Sequence, residues 1–575
     1  MEPVFRIRGI SVTKIKKYMP WAIICILAFT LFAVIAHGQS GNIQNNAGPV
    51  FDSIIPNAWR TASEKSFIEE QHLPNLSRMS TEDTNQYINS LQVMKKIEAL
   101  GLDEQSFLYP ESSLDQIYTQ LFVPERGTKQ DVIFTGTTSE ELNDFLQDHA
   151  GETVFVQQKR LQINESVFVP NNTSLIGDQT ELHGSGDIRV FYIENQNNIE
   201  ISGFTVADEF AYGIYIINSN RILVADNTFE NISCKPVVIM GTCSQITIQN
   251  NTIRENGQGG IYLNGDISES LIEGNIVVNN GGTSNWMAGI VLTAIDVENP
   301  ANPYALFRPD LHFPKEQRLD EMLTAPHRII IRNNAVSGNN SSGIYCDGAY
   351  LVYISDNRII GNDKEGMCLD YGTLGAYVAR NDISGNGNRA RQTDQDLEND
   401  FVLAAGRLED GSSRSKLPGI SIDNSAYNII YNNRIEGNYG SGVKMVRTGV
   451  RNIISTNVIH GNNLGRSDTF HFFGIELGYA AADVEADNLD FAPDYENIIC
   501  RNIVSGEHYA GIFLAEEVYI NDFFDNVILD STDWSMESLS QKYNNTINNL
   551  SQIPSRGISL SVGGGSVIIL PGMSD

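Results

Sequence analysis

The chain has 575 residues, 41% of them hydrophobic, with 49 glycines, which is enough for a large core and many tight turns. Its formal net charge of −31 excludes nucleic acid and anionic membranes as partners bound through bulk electrostatics. The six cysteines have no zinc-type spacing, so they predict neither a disulfide framework nor a structural zinc site.

Residues 1–36 have the layout of a leader. Five basic residues precede an apolar run over 21–36, and polar sequence follows. This pattern predicts a signal peptide, with an uncleaved amino-terminal membrane anchor as the alternative, because the run is short for a membrane span. Either way the body is expected to be secreted, periplasmic or at the cell surface. Loss of the leader, with its five basic residues and Glu2, would change the net charge to −35.

Residues 37–135 are predicted to form a linker and a helical accessory region, with an amphipathic helical pattern over 84–100. The sequence Thr138-Ser-Glu-Glu141 is a capping box, which predicts a helix through about Asp148 that covers the first coil of the next domain. That main domain is expected to span 136–530, with a carboxy-terminal cap or tail over 531–575.

Two short anchors recur through the main domain with a period of 23–24 residues in its regular coils. The first is Gly-Ile-x-Leu or a close variant, and it begins at Gly213, Gly260, Gly289, Gly343, Gly366, Gly419, Gly442, Gly474 and Gly511. The second is Asn-x-Ile or similar, and it begins at Asn227, Asn251, Asn275, Asn334, Asn357, Asn381, Asn433, Asn457, Asn502 and Asn526. Self-similarity at a fixed period, with alternating apolar residues, predicts a β-solenoid of about ten coils.

On these repeats the chain resembles the pectate-lyase-like right-handed parallel β-helix superfamily, over roughly residues 150–530. The resemblance implies an all-β right-handed parallel β-helix. Independently of it, the stacking of equivalent positions in successive coils predicts that the repeated asparagines form amide ladders at one corner. Members include polysaccharide lyases, glycoside hydrolases, uronan epimerases and non-catalytic proteins. No family residue can be carried over, because the resemblance rests on the repeat alone.

Four insertions interrupt the repeat beside the Gly-Ile strands. They lie between Gly289 and Asn334, Asn381 and Gly419, Asn457 and Gly474, and Gly474 and Asn502. Long loops on both sides of one sheet predict a groove, which is the expected functional site.

Alternation within the Gly-Ile strands assigns the side chains that point away from the core. Three aspartates fall on consecutive coils at this outer position, Asp347, Asp370 and Asp423, and a basic pair follows, Lys444 and Arg447. Stacked carboxylates repel one another, so the stack favours a bound cation, a shared proton or a substrate, although a solvated acidic face competes with this interpretation. The expected substrate-binding residues on the same face are Tyr262, Asn264, Tyr345 and Glu476.

The preferred hypothesis is an exported enzyme that acts on a polysaccharide by uronan lyase-type β-elimination. Ca²⁺ held by Asp347, Asp370 and Asp423, with help from Asp394 and Asp396, would neutralise a uronate while Lys444 or Arg447 removes a proton. A glycoside hydrolase that uses the aspartates, a uronan epimerase with Tyr345 as second proton donor, and a non-catalytic glycan-binding β-helix remain alternatives. The oligomeric state is left open.

Two cysteines, Cys346 and Cys368, are expected to be buried apolar thiols at the same repeat position of neighbouring coils. Of the histidines, His460, His471 and His508 fall in the later coils without metal-type spacing.

Overall fold

The computed structural model describes residues 92–102, 130–282, 287–294, 324–370, 372–388, 417–446, 449–465, 472–478 and 494–514, and shorter pieces up to 569 (518–519, 521–529, 534–538, 546–548, 551–553, 558–562 and 565–569). The predicted leader at 1–36 lies outside these residues. Over residues 131–562 the strands form a right-handed parallel β-helix of about 13 turns, which confirms the fold. The expected count of about ten was too low, since coils without the Gly-Ile anchor add to both ends.

Each regular coil contributes three strands, one to a first sheet and two to a second. The first, called the site sheet, has 15 strands among the described residues: Val167–Phe168, Gly186–Glu194, Phe210–Ile217, Val237–Met240, Ile261–Asn264, Ile290–Thr293, Ile344–Asp347, Met367–Asp370, Ile420–Asp423, Val443–Val446, Ile475–Leu477, Ala510–Leu514, Trp534–Ser538, Ile558–Val562 and Gly565–Ile569. Neighbouring strands pair in parallel except for the last two, which are antiparallel.

The second sheet consists of two columns of parallel strands, 27 strands in the described part of the chain. Two long strands, Ser174–Gly184 and Asn197–Val206, run through both columns. The first column also contains Asp131–Phe134, Thr153–Val156, Asn220–Ala225, Cys243–Gln249, Ile267–Glu273, His327–Arg332, Tyr353–Ser355, Tyr377–Ala379, Ile429–Tyr431, Ile453–Ser455, Ile498–Cys500, Asp522–Phe524 and Thr546–Asn548. The second column also contains Arg160–Ile163, Thr228–Glu230, Thr252–Arg254, Ile276–Val278, Ala335–Ser337, Arg358–Ile360, Asp382–Ser384, Arg434–Glu436, Val458–His460, Ile503–Ser505, Val527–Leu529 and Ser551–Ile553. A separate pair joins Asp494–Tyr495 to Val518–Tyr519.

One continuous core fills the interior of the solenoid. Each site-sheet strand sends two alternating apolar side chains inward, as Ile344 and Cys346 do, and these meet inward side chains of the two columns. The inward residues of one coil stack on those of the next, because parallel strands in register place equivalent positions side by side.

Stacked asparagines hold the corner between the first and second columns. From Asn227 to Asn526, every Asn of the second anchor is buried, and each one before Asn526 donates its backbone N–H to the side-chain oxygen of the Asn one coil later, at 2.9–3.1 Å. The predicted amide ladder is therefore confirmed. Two more ladders form at the other corners, one from Asn256 to Asn462 and one from Asn428 to Asn521.

A histidine ends the ladder that begins at Asn256. The backbone N–H of Asn462 donates to Nε2 of His508 at 3.1 Å, and His508 is 1% exposed. Burial lowers the pKa of His508 to about 3, with a smaller contribution from His460. His508 is therefore a structural acceptor that must stay neutral.

Replacing His508 by glutamine is expected to remove an acid-dependent loss of stability. The folded pKa of about 3 lies below the ordinary value of 6.5, so the native protein loses stability as the pH falls from about 6.5 towards 3. Near pH 4.5 this loss amounts to about 2–3 kcal/mol, which the variant should be spared because an amide oxygen accepts the same bond without titrating. Urea unfolding at neutral and acid pH measures the difference, and an unchanged pH dependence in the variant would contradict it.

Two helices accompany the solenoid in the described residues. Helix α1 covers Gln92–Ala99, inside the predicted amphipathic stretch. Helix α2 covers Ser139–Asp148 and begins with the predicted capping box, and its Leu142 and Leu146 close the core at the first coils. Coils extend past both predicted boundaries of the main domain, with Asp131–Phe134 before residue 136 and Trp534–Ser538 after residue 530.

Candidate functional site

The outer face of the site sheet carries two rows of side chains, because alternate residues of each strand point away from the core. In the first row, register aligns Phe168, Tyr192, Tyr215, Val238, Tyr262, Val291, Tyr345, Cys368, Ser421, Lys444 and Glu476. The second row includes Asn264, Thr293, Asp347 and Asp370 in register, and Asp423 follows on the next strand. The predicted outward positions therefore lie on one face.

This face is covered rather than open in its central coils. The three aspartates of the second row, Asp347, Asp370 and Asp423, are 7%, 4% and 7% exposed. Tyr262, Val291, Tyr345 and Cys368 of the first row form a second buried cluster outside the main core. Charges on this buried part of the face interact more strongly than they would in water.

Tyr345 and Asp370 form the most direct contact between predicted site residues. The phenol of Tyr345 donates to Oδ2 of Asp370 at 3.0 Å, across neighbouring coils. Tyr345 is 1% exposed, and the hydroxyl of Thr293 donates to the neighbouring Asp347 at 3.4 Å. A phenol that donates to a buried carboxylate can move a proton in either direction, which is the property of an acid–base pair.

Lys444 and Glu476 also meet. The ammonium of Lys444 lies 2.8 Å from Oε1 of Glu476, and the hydroxyl of Ser441 donates to Oε2 of the same carboxylate at 2.6 Å. The carboxylate is thus fixed by two groups, and its side chain is 11% exposed against 36% for Lys444. Lys444 sits one coil beyond Ser421, so this ion pair borders the aspartates on the carboxy-terminal side.

Tyr262 and Asn264 pair with each other. The side-chain amide of Asn264 donates to the Tyr262 hydroxyl at 2.8 Å, and both residues are 2% exposed. The Nζ of Lys235 lies 4.5 Å from the centre of the Tyr262 ring, and burial lowers the pKa of this lysine to about 7. These contacts within the chain hold Tyr262 and Asn264 in place on the covered face.

Lys96 of helix α1 reaches the same site from a distant part of the chain, and no sequence pattern pointed to it. Its ammonium donates to the carbonyls of Gly348 and Gly372, the latter at 2.8 Å, and it lies 5.3 Å from the centre of the Tyr350 ring. Lys96 is 0% exposed. Burial lowers its pKa to about 7, and the charge of Asp347 acts in the opposite direction.

Replacing Lys96 by methionine is expected to weaken the docking of residues 92–102 by about 1–3 kcal/mol, because two buried carbonyls lose their donor. Between pH 7 and 10.5 the unfolded segment binds more protons than the docked one, so native docking should strengthen as the pH rises through this window. The variant should lack that rise. Hydrogen exchange of the segment measures both effects, with Lys159→Met at an exposed lysine as control. An equal pH slope in the two variants would contradict the assignment.

Several predicted site residues lie outside the described residues. They are Arg447, Asp394 and Asp396, together with most of the four insertions. The groove walls therefore remain a prediction.

The two cysteines of neighbouring coils do not share a position, which corrects the expectation from the repeat. Cys346 pairs with Leu369 and faces the core, whereas Cys368 pairs with Tyr345 and faces outward. Cys346 is the fourth residue of its anchor and Cys368 is the third residue of its own. A shift of one residue along a strand moves the side chain to the opposite face. Both thiols are buried, as expected.

The chain matches the model of one known protein family. The model of the family described as periplasmic copper-binding protein (NosD) matches residues 147–296 and 322–469. Among curated proteins, none matches this chain. Within the described residues, no helix has both the length and the apolar character needed to span a membrane.

Solved β-helix structures are similar at low identity. The pre-mature bacteriophage phi29 gene product 12 is 10% identical, with 80% of this chain and 60% of that chain covered and a TM-score of 0.50. The A-module of Azotobacter vinelandii mannuronan C-5 epimerase AlgE4 is 14% identical, with 74% and 99% covered and a TM-score of 0.41. The periplasmic alginate epimerase AlgG is 12% identical, with 89% and 99% covered and a TM-score of 0.37. At such identities the likeness concerns the fold alone.

The residues that the structure describes do not provide a site for the copper that the family description names. Among them, no three His, Cys, Asp or Glu side chains are placed so that they could hold a metal ion. Burial raises the pKa of Cys243 and Cys500 to about 11 and that of Cys346 to about 12, which disfavours the thiolate that binds a soft metal. The three aspartates likewise do not form a three-ligand cluster by themselves.

Proposed function

This chain belongs to the periplasmic copper-binding protein (NosD) family, and on that premise we propose that it is an exported β-helix enzyme that acts on a polysaccharide. The family description supports a place outside the cytoplasm. The predicted signal peptide at 1–36 agrees with that location.

The observation that carries the proposal is the Tyr345–Asp370 contact on a face lined by further carboxylates. Enzymes that cleave glycosidic bonds need positioned acid and base groups on both sides of the bond. Here the phenol, its carboxylate partner and the Lys444–Glu476 pair lie on one face of one rigid sheet. Rigid strands hold such groups more precisely than loops do.

The reaction we propose is β-elimination on a uronate-containing chain. Tyr345 takes the proton from C5 of the uronate while its own proton passes to Asp370. The bond from C4 to the glycosidic oxygen breaks, a double bond forms between C4 and C5, and the departing oxygen receives a proton from water. Lys444 pairs with Glu476 and lies three coils from Tyr345, about 14 Å at the spacing of parallel strands, so it does not take part in this proton transfer.

Calcium is part of this proposal as an aid to the substrate. A Ca²⁺ ion held by Asp347, which leaves Asp370 free to take the proton from Tyr345, would neutralise the uronate carboxylate and acidify the adjacent C–H. Since Ca²⁺ takes six to eight oxygen ligands, the remaining oxygens would come from the substrate, water and other groups.

A glycoside hydrolase is the second candidate, and the strand register supports it. Asp347 and Asp370 occupy paired positions on neighbouring strands, about 5 Å apart by the spacing of parallel strands. That separation suits a retaining mechanism with one acid and one nucleophile. This hydrolase mechanism does not use Tyr345.

One set of assays tests these proposals. The purified protein is incubated with uronate-containing and neutral polysaccharides, with and without EDTA, and both ultraviolet absorbance and reducing ends are followed. Absorbance from unsaturated uronate, lost with EDTA, supports the calcium-assisted lyase. Reducing ends without that absorbance support the hydrolase, and a changed uronate composition without cleavage supports an epimerase. No reaction on any polymer would overturn the enzymatic proposal.

A further inference from the structure

The amino-terminal end of the site sheet carries a partly exposed strip of aromatic rings. Phe168, Tyr192 and Tyr215 occupy paired positions on three consecutive strands of the first outer row. The ring centres of Phe168 and Tyr192 are 5.8 Å apart, and those of Tyr192 and Tyr215 are 6.0 Å apart. We call these three residues the aromatic strip.

The strip differs in exposure from a stacked pair of tyrosines elsewhere in the solenoid. In the first column, Tyr353 and Tyr377 stack with ring centres 5.0 Å apart, but they are only 6% and 7% exposed. Phe168 is 53% exposed, which is costly for a phenyl ring on a soluble protein. A buried aromatic stack contributes to stability, whereas an exposed one offers a surface to a partner.

An arginine completes the surface. The guanidinium carbon of the exposed Arg189 lies 4.7 Å from the ring centre of Tyr215 and 5.6 Å from that of Tyr192. Tyr192 also donates to Oε2 of Glu194 at 3.0 Å. Phe168 and Tyr192 meet edge to face, at an interplanar angle of 85°. The strip therefore offers an exposed phenyl ring beside charged and polar groups, and a sugar can use both, since its C–H face is apolar and its rim is polar.

The geometry points to the aromatic strip, with Arg189, as a distal subsite that binds the same polysaccharide chain several sugar units away from the reacting bond. This inference rests on the proposed function for the identity of the polymer. By register, Tyr215 and Tyr345 belong to the same outer row, four coils apart, or about 19 Å at the spacing of parallel strands. The first-row side chains between them, Val238, Tyr262 and Val291, are 1–2% exposed, so a long chain would contact both places by crossing the surface that covers these coils. A short oligosaccharide at Tyr345 cannot reach the strip.

The test compares long and short chains in binding and in turnover. Affinity electrophoresis and kinetics are measured with a soluble polyuronate, the substrate class of the proposed function, and with di- and trisaccharides cut from it. The variants are Phe168→Ala with Tyr192→Ala, and separately Arg189→Gln. Ile276→Ala is the matched control, because it removes a 46% exposed apolar side chain from the second column.

The expected result is a loss of about tenfold in affinity for long chains in the double variant, with a smaller loss in Arg189→Gln. For long chains KM should rise while kcat changes little, and short chains and the Ile276→Ala control should behave as native. Equal binding of long chains by the native protein and the folded double variant would overturn the subsite, even if turnover is normal. Length-dependent binding that needs the strip, without any turnover, would support the subsite and overturn only the enzymatic proposal.

Discussion

Replacing Asn433 by alanine is expected to lower the free energy of unfolding by about 3–5 kcal/mol. Its side-chain oxygen accepts from the backbone N–H and the side-chain amide of Asn381 at 2.9 and 3.0 Å. Its amide donates to the carbonyl of Val378 at 2.9 Å and to the Asn457 side chain at 3.0 Å. Alanine would leave the backbone N–H of Asn381 and the carbonyl of Val378 buried without these bonds, and urea unfolding followed by circular dichroism measures the loss.

The preceding residue supplies a matched control. Asn432 is exposed and adopts φ of 52°, a conformation that glycine reaches without strain. Asn432→Gly should therefore change the free energy of unfolding by less than about 1 kcal/mol. If the two substitutions had similar effects, the contribution of this corner would come from backbone conformation and not from the ladder.

The repeat predicted the fold because both of its anchors have a local physical cause. The Gly-Ile strands show alternation, and the asparagines mark a corner where a side chain must satisfy backbone groups of the next coil. The coil count was too low because coils such as the one with Ser174–Gly184 have long strands without either anchor. The inward residues of these coils are apolar, but neither anchor recurs in them at the spacing of the regular coils.

Alternation also predicted which side chains share the outer face, since a strand has a period of two residues. It predicted neither the burial of Tyr345 nor the hydrogen bond of Lys96 to the carbonyl of Gly348, because Lys96 lies about 250 residues earlier in the chain. Contacts between segments so far apart leave no trace in a local pattern. No insertion marks the coils of the aromatic strip, so the broken repeat does not point to it.

The phenol of Tyr345 and the carboxylate of Asp370 are expected to act as one unit in turnover. Asp370→Asn keeps an acceptor of nearly the same shape for the Tyr345 hydroxyl but cannot take its proton. We therefore expect kcat to fall by about 100-fold or more, with a smaller change in KM. Tyr345→Phe should cause a similar fall, since it removes the other half of the proton path.

The double variant distinguishes a shared role from two separate ones. If the two groups act together, Asp370→Asn combined with Tyr345→Phe should be no slower than the slower single variant, whereas independent roles would multiply the two losses. Initial rates on the converted polysaccharide measure this, with Asp382→Asn as control at a half-exposed aspartate of the second column. A folded Asp370→Asn protein with native kcat would exclude Asp370 from the reaction. The carboxylates of Asp347 and Asp423 would then be the remaining acids of this face, and a hydrolase would become the better account of it.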